Sequence, residues 1–160
     1  MINIQPVTKK DLVVLAQIEK SLFGESGWDV DQFKKYAQVP GSKMLVAHNT
    51  FGDPIGHVCF AQEKSHAIVT NLAVARSHQK GGFGTSLMEA VISNVRAVSD
   101  DVLIEFLVAE DNLHLLLFLR SLGFRWAQTI DRPFDKTDLD GYMLLWEFIP
   151  TNRLSFTFDR

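Results

Sequence analysis

Apolar and polar residues change their spacing near the start of the chain. Residues 1–7 have the composition of a strand, and the apolar residues after them recur at the three- and four-residue intervals of an amphipathic helix. Thr8 precedes that run and predicts a side-chain cap for the helix. The apolar positions of this helix are Leu12, Leu15, Ile18 and Leu22.

Two glycines end the first helix. Gly24 and Gly27 favour a loop over residues 23–28. Asp29 then predicts the cap of a second, short helix that runs through Phe33 and Tyr36 and ends near Pro40 and Gly41. The chain therefore begins with a strand followed by two helices.

Three extended runs follow, at residues 43–48, 55–62 and 66–75. Short polar turns separate them, which is typical of an antiparallel meander. A glycine-rich turn at residues 79–84 then leads into a helix, and an apolar strand at residues 102–108 follows that helix. This order predicts a right-handed βαβ crossover whose two strands are parallel. The apolar stripe of the helix consists of Leu87, Val91 and Val95.

The last elements complete the predicted sheet. A helix at residues 112–122 stops at Gly123, which is typical of a left-handed C-terminal cap. Strands are predicted at residues 124–130 and 142–149. The order of elements is therefore βααβββαβαββ, which indicates a mixed α/β fold.

The composition fits one globular domain with a sizeable core, because 46% of the 160 residues are hydrophobic. We expect this domain to span residues 1–150. Residues 151–160 then form a C-terminal tail with alternating apolar positions. Such a tail is either a loose end or an edge strand that meets a partner chain.

Charge, cysteine and histidine content argue against several functions. The net charge of −3 supplies no general basic field for nucleic acid. Cys59 is the only cysteine, which excludes an internal disulfide and favours a reducing, cytoplasmic setting. The 5 histidines lack ligand spacing, so we expect no metal. Lys9 and Asp11 interrupt any signal peptide, and the apolar run at residues 113–119 is too short to cross a membrane.

The glycine-rich turn before the third helix is the first candidate site. Backbone N–H groups at the start of a helix have no partner within it and, with the helix dipole, attract anions such as phosphate. Gly81, Gly82 and Gly84 remove the side chains that would keep a phosphate away. Lys80 and Thr85 add donors on either side. The turn alone fits a diphosphate site and a plain tight turn equally well.

Gln79, Gly82 and Gly84, with residues 71–74 before them, resemble the acetyl-CoA motif of the GNAT superfamily of N-acetyltransferases. Gln79, Gly82 and Gly84 occupy the three defining places of the motif Arg/Gln-x-x-Gly-x-Gly/Ala, and residues 71–74 resemble its strand ending in Leu-x-Val. The resemblance covers nearly the whole chain and implies the GNAT fold, a central twisted mixed sheet of about seven strands flanked by four helices. The residues of a second match, to the family's Asn-to-Gly-Phe helix, are Asn112, Phe118, Gly123 and Phe124.

The resemblance looks closest to the RimI-type branch, which acetylates protein N-termini. It implies transfer of the acetyl group of acetyl-CoA to a primary amine, by direct attack in a ternary complex. The acceptor is then a protein N-terminus or a small-molecule amine. The residues that repeat the spacing of the branch's first two helices are Glu19, Phe23, Trp28 and Phe33.

The resemblance also implies how the cofactor is held. The backbone of residues 72–74 is expected to pair with the pantetheine arm, with the Val74 N–H polarising the thioester carbonyl. Asn112 is expected along the same arm, and it equally suits a plain helix cap. The expected cofactor-binding residues are Leu72, Ala73, Val74, Gln79, Lys80, Gly81, Gly82, Phe83, Gly84, Thr85, Asn112 and Phe118.

The chain departs from the family where the acid and base usually stand. Ile68 and Leu107 occupy the usual positions of the base, and Leu119 that of the acid. Because side chains of a strand alternate between its faces, His66 shares a face with Ile68. Glu105 likewise shares a face with Leu107, so we expect His66 and Glu105 to meet and to act as a substitute base. The alternative is a surface histidine beside a solvated glutamate.

Other candidates lie around the expected acceptor entrance. Tyr142 and Glu25 are further candidates for the base, and Tyr142 equally suits shaping the acceptor pocket. Phe23, Glu25 and Trp28 are expected to bind the acceptor, since they lie on the loop where it enters. The missing acid and base leave one alternative function, a coenzyme A-binding regulatory module with weak or lost chemistry. A homodimer is a further expectation, because GNAT domains often dimerise.

Overall fold

A computed structural model describes residues 2–135 and 137–149 of the protein. These residues form seven strands and four helices in the predicted order βααβββαβαββ. The strands are β1 (Asn3–Pro6), β2 (Ser42–His48), β3 (Pro54–Glu63), β4 (His66–Val74), β5 (Val102–Ala109), β6 (Arg125–Ile130) and β7 (Gly141–Phe148). The helices are α1 (Leu12–Phe23), α2 (Val30–Tyr36), α3 (Phe83–Arg96) and α4 (Leu113–Ser121), with 3-10 turns at Gly24–Ser26 and Arg76–His78. The predicted tail, residues 151–160, lies outside the described residues.

The starts of the first two helices differ in how well the sequence predicts them. Thr8 was expected to cap α1, but this is wrong: the helix starts at Leu12, after Asp11. Thr8 instead donates its backbone N–H and its hydroxyl to the Asp11 carboxylate, at 2.7 and 2.8 Å. The cap of α2 is confirmed, because the Asp29 side chain accepts from the Gln32 N–H and the Gln32 side chain accepts from the Asp29 N–H.

The seven strands form one mixed sheet in the order β1-β2-β3-β4-β5-β7-β6. The pair β4–β5 is parallel, as the crossover predicts, and its neighbouring pairs are antiparallel. The paired residues of β4 and β5 run from His66 and Leu103 to Val69 and Phe106. Beyond these four residue pairs the two strands separate, which opens a gap in the middle of the sheet.

Helices cover both faces of the sheet and define two apolar clusters. On one face α3 and α4 pack against the inward residues of β3, β4 and β5, and the predicted stripe Leu87, Val91 and Val95 is fully buried there. On the other face α1 and α2 pack against β2, β3 and the end of β4. The gap between β4 and β5 therefore opens between two packed helical layers.

Candidate active site

The end of β4 presents backbone donors to the gap. The Ala75 N–H donates to the Ile55 carbonyl of β3 at 2.8 Å. Because successive N–H groups of a strand point to opposite edges, the Val74 N–H points away from β3 and into the gap. The same alternation places the backbone groups of Leu72 in the gap, as the resemblance implies.

The turn after β4 leads directly into α3. Gly82 precedes the helix with φ of +83°, a left-handed conformation that glycine adopts without steric cost. The N–H groups of the first helical turn have no partners within the helix, so they are open to an anion. The turn is also tied to the strand, since Gln79 Nε2 donates to the Val74 carbonyl at 2.9 Å.

A cavity of about 870 Å³ joins these two features. Its wall combines the separated strand, the glycine turn and the start of α4, and it carries the basic side chains Arg76, Lys80 and His114. Gly81 and Phe83, both expected to bind the cofactor, do not line it; the Phe83 ring packs against the core instead. The expected cofactor-binding residues that do line it are Leu72, Ala73, Val74, Gln79, Lys80, Gly82, Gly84, Thr85, Asn112 and Phe118.

Two contacts shape the middle of this cavity. A Cβ atom on Gly84 would lie 3.2 Å from the Phe118 ring, so glycine lets α3 and α4 approach each other here. Asn112 caps α4, because its side-chain oxygen accepts from the Leu115 N–H at 3.2 Å. Asn112 therefore has the cap role and also lines the cavity.

These residues fit a ligand that combines phosphates with a long amide-containing arm. Unpaired N–H groups at the start of α3 and three basic side chains in the cavity wall suit phosphate oxygens. Backbone donors and acceptors of β4 in the gap suit amide groups of an extended arm. Coenzyme A combines both kinds of group.

A smaller cavity of about 220 Å³ continues from the first one into the gap. Phe23, Leu72, Asn112 and Leu115 line both cavities, so the two meet along these side chains. The remaining wall of the smaller cavity is formed by Glu19, Ser26, Trp28, Thr70, Asn71, Phe106, Leu107, Val108 and Ala109.

A buried carboxylate, that of Glu19, lies at this smaller cavity. Glu19 is 1% exposed, and its Oε1 accepts from Asn71 Nδ2 at 3.0 Å. Its Oε2 accepts from the Trp28 N–H at 3.0 Å. Gly27 makes the second bond possible, because a Cβ atom there would lie 2.6 Å from the Glu19 backbone carbonyl. The loop therefore closes tightly over α1.

The predicted pair of His66 and Glu105 does meet in space. His66 Nε2 lies 3.2 Å from Glu105 Oε1, and both side chains are partly exposed. Neither residue lines either cavity. His66 precedes Thr70, which lines the smaller cavity, by four positions, or about 13 Å along a strand. Their catalytic role stays a prediction.

Some of the other predicted catalytic and acceptor-binding residues line a cavity and others do not. Phe23 and Trp28 line the smaller cavity, whereas Glu25 is exposed and lines neither cavity. Tyr142 also lines neither; it pairs with Val108 of β5. Leu119 is fully buried in the core of the α3 and α4 face.

Comparison with known proteins decides the family. The sequence matches the acetyltransferase (GNAT) family over residues 12–124. This chain is a GNAT acetyltransferase. Members of this family use acetyl-CoA, which agrees with the fit of the larger cavity. No protein of curated function matches its sequence.

Solved structures share the fold of this GNAT acetyltransferase at low sequence identity. Ard1 from Thermoplasma volcanium is 18% identical with a TM-score of 0.81, over 93% of this chain and 99% of that one. The ribosomal-protein-S18-alanine N-acetyltransferase from Escherichia coli is 21% identical with a TM-score of 0.77, over 98% and 100%. NAA60 from Arabidopsis thaliana, solved in complex with acetyl-CoA, is 15% identical with a TM-score of 0.76, over 92% and 98%.

Three residues that line the two cavities are absent from the site residues expected from the sequence. Arg76 and His114 line the larger cavity. The charge of Arg76 just before the glycine turn was a signal in the sequence, whereas His114 follows the expected residue Asn112 by two positions. Glu19 lies four residues after Leu15, on the apolar stripe of α1, and a charged residue on such a stripe indicates a buried side chain with a special role.

Among residues 2–135 and 137–149, no cluster of acidic, histidine and cysteine side chains suits a metal ion. Within the same residues, no helix is long and apolar enough to cross a membrane.

Proposed function

We propose that this GNAT acetyltransferase acetylates the primary amine of a peptide N-terminus or of a small molecule, by direct attack in a ternary complex. The observation that carries the proposal is the buried Glu19 carboxylate in the wall of the smaller cavity, which meets the larger cavity. A cationic amine entering this pocket loses water and is attracted by that carboxylate.

Glu19 acts as the base in this proposal. An amine attacks only when neutral, so its ammonium form must first give up a proton. Glu19 takes that proton, which converts two buried opposite charges into two neutral groups. Leu107 and Val108 exclude water from the same pocket, which strengthens the attraction between carboxylate and ammonium.

The residues of the larger cavity hold the donor. Acetyl-CoA, when bound, supplies an activated acetyl thioester. The first-turn N–H groups of α3, with Arg76 and Lys80, face its phosphates, and the Val74 N–H offers a donor to its carbonyl oxygen. A general acid that protonates the departing thiolate is not essential, because a thiol with a pKa of about 8.5 is a tolerable leaving group near neutral pH.

The RimI-type branch is our proposal for the acceptor class. Two of the similar solved structures, Ard1 and the S18-alanine enzyme, share the fold, and the second is by its name an N-acetyltransferase acting on alanine of a ribosomal protein. The small pocket favours acceptors whose amine lies next to a small side chain. We further propose that residues 1–150 are one domain and that the protein forms a homodimer.

One set of measurements tests the function. Acetyl-CoA should raise the Tm of the purified protein, and acetyl transfer should then be measured with peptides that begin in Ala, Ser or Met and with polyamines. Transfer to peptides that begin in Ala or Ser, with little transfer to polyamines, supports the proposal. Thermal stabilisation without transfer to any amine would instead indicate a coenzyme A-binding regulatory module. This outcome is worth testing because Ile68, Leu107 and Leu119 stand where the family usually has its base and acid.

A further inference from the structure

The side chain of Leu107 lies between the smaller cavity and strand β7. Leu107 lines that cavity, and in the β5–β7 ladder it pairs with Met143, two positions from Gly141. A Cβ atom on Gly141 would lie 2.7 Å from Leu107 Cδ1, a distance that real Cβ atoms essentially never show. The φ of Gly141 lies outside the left-handed region, so the backbone conformation does not itself require glycine. Glycine at this position therefore makes room for the leucine side chain.

The loop between β6 and β7 lies on another side of Gly141. The same Cβ atom would lie 2.7 Å from Pro133 Cγ. Pro133 and Leu107 therefore approach each other across the glycine and leave no room for a methyl group between them. Leu107 cannot withdraw from the cavity in this direction, because the proline ring and the β7 backbone occupy the space.

Hydrogen bonds fix this loop to the end of β5. The Glu110 N–H donates to the Asp140 carbonyl at 2.9 Å, and the Glu110 carboxylate accepts from the Asp140 N–H at 3.1 Å. The Asp140 carboxylate accepts from the Arg132 N–H at 3.2 Å, which joins the two ends of the loop. Pro133 directly follows Arg132, so these bonds hold the proline in place beside Leu107.

The smaller cavity has little volume to spare. Its volume of about 220 Å³ must contain the acceptor amine and any side chain on the neighbouring carbon. Leu107 lines this cavity together with Glu19. Because the side of Leu107 toward β7 is closely packed, a displaced leucine moves into the cavity rather than away from it. The space that remains for the acceptor therefore depends on the position of Leu107.

We propose that Leu107, packed against Gly141, determines how large the acceptor side chain beside the reacting amine can be. This inference rests on the proposed function, in which the acceptor amine enters the smaller cavity and meets Glu19. A side chain on the carbon that carries the amine then fills the remaining space and contacts Leu107. Small first residues fit, whereas a branched one overlaps the leucine. Leu107 is thus a specificity-determining residue and takes no part in the proton transfer.

Substitutions that widen or narrow the cavity test this role. Leu107→Ala removes most of the side chain from the wall. The kcat/KM for a peptide that begins in Leu, divided by that for the same peptide beginning in Ala, should rise roughly tenfold or more, since one methylene in an apolar pocket changes kcat/KM by about 10- to 200-fold. Gly141→Ala adds a methyl group that displaces Leu107 into the cavity. The kcat/KM for a peptide that begins in Ala should then fall about tenfold relative to one that begins in Gly.

Leu103→Ala is the matched control. Leu103 lies on the same face of β5 as Leu107 and is also partly buried, but it lines neither cavity, so both ratios should stay unchanged in this variant. The KM for acetyl-CoA should also stay unchanged in Leu107→Ala and Gly141→Ala, because neither residue lines the larger cavity.

The outcomes separate this inference from the proposed function. An unchanged Leu-to-Ala ratio in Leu107→Ala would overturn the inference, and this variant decides the question if Gly141→Ala does not fold. An unchanged Ala-to-Gly ratio in folded Gly141→Ala would overturn it as well. A wild type that transfers acetyl to no amine would overturn the proposed function and this inference together, whereas an active wild type with unchanged ratios in the variants would overturn the inference alone.

Discussion

The side-chain amide of Gln79 holds the carbonyl oxygen of Val74 at 2.9 Å, which ties the glycine turn before α3 to the last residue of β4. The Val74 carbonyl is occupied by this bond, while its N–H remains directed into the gap. One side chain therefore fixes the position of the glycine turn relative to the end of β4.

Loss of this bond should weaken acetyl-CoA binding. In Gln79→Ala the turn loses its hydrogen bond to β4, and we expect the KM for acetyl-CoA to rise roughly fivefold, the effect of one hydrogen bond of about 1 kcal/mol. Steady-state kinetics with acetyl-CoA as the varied substrate measure this. Gln17→Ala, on an exposed position of α1, is the control. Equal KM values in the two variants would contradict the prediction.

Substitution of Glu19 should affect catalysis far more than substitution of His66 or Glu105. Glu19→Gln keeps the shape of the side chain but removes the base, so kcat/KM for the acceptor should fall by about 10²- to 10⁴-fold. His66→Ala and Glu105→Gln lie outside both cavities and should change it less than about threefold. Near-normal activity of Glu19→Gln together with inactive His66→Ala would assign the base to the pair.

Gly27 should be intolerant of even a methyl group. A Cβ atom at this position would lie 2.6 Å from the carbonyl carbon and oxygen of Glu19, and both belong to the backbone. The loop must move to relieve this overlap, so Gly27→Ala should lower the free energy of unfolding by about 1–3 kcal/mol. It should also reduce kcat by displacing Trp28 from Glu19. Urea unfolding measures the first effect. In Gly52→Ala the Cβ meets nothing within 4 Å but the φ is +89°, unlike the φ of −67° at Gly27, so this comparison variant shows the cost of backbone strain without overlap.

Asp11 should contribute stability that depends on pH. Burial raises the pKa of the Asp11 carboxyl, but hydrogen bonds from Thr8 and the contact with His48 outweigh it, so the pKa lies below 3.8. A depressed folded-state pKa stabilises the protein above the unfolded pKa, and this contribution is lost as the pH falls through the folded one. Asp11→Asn should therefore lower the Tm at pH 7. When the pH drops below about 4, the Tm of this variant should fall less than the Tm of the wild type. Asp31→Asn, an exposed carboxylate on α2, should do neither.

The order of elements could be predicted because each element carries its own local signal. The stripe of Leu87, Val91 and Val95 indicates α3 by spacing alone, and Asp29 with Gln32 marks the start of α2. The start of α1 was predicted wrongly because Thr8 and Asp11 satisfy each other before the helix begins. Local rules do not decide between two polar groups that compete for the same bond.

The surroundings of Glu19 could not be predicted in the same way. Glu19, Asn71 and His57 come from α1, β4 and β3, and they meet only once the sheet has formed. His57 gives no signal in the sequence, since β3 is buried on both faces and lacks an alternating pattern. The glycine turn was predictable because its residues are adjacent along the chain.

The separation of β4 and β5 after Val69 and Phe106 affects the equilibrium between the folded and the unfolded protein. In the gap the backbone groups of β4 have no hydrogen bonds to a neighbouring strand. A pantetheine arm of acetyl-CoA that pairs with Leu72 and Val74 would therefore add hydrogen bonds that the polypeptide itself does not make. Because only the folded chain offers these groups, resistance to proteolysis should rise with the acetyl-CoA concentration in the logarithmic manner of any ligand specific for the native state. The metabolic supply of the donor would in this way set the lifetime of the protein as well as its rate.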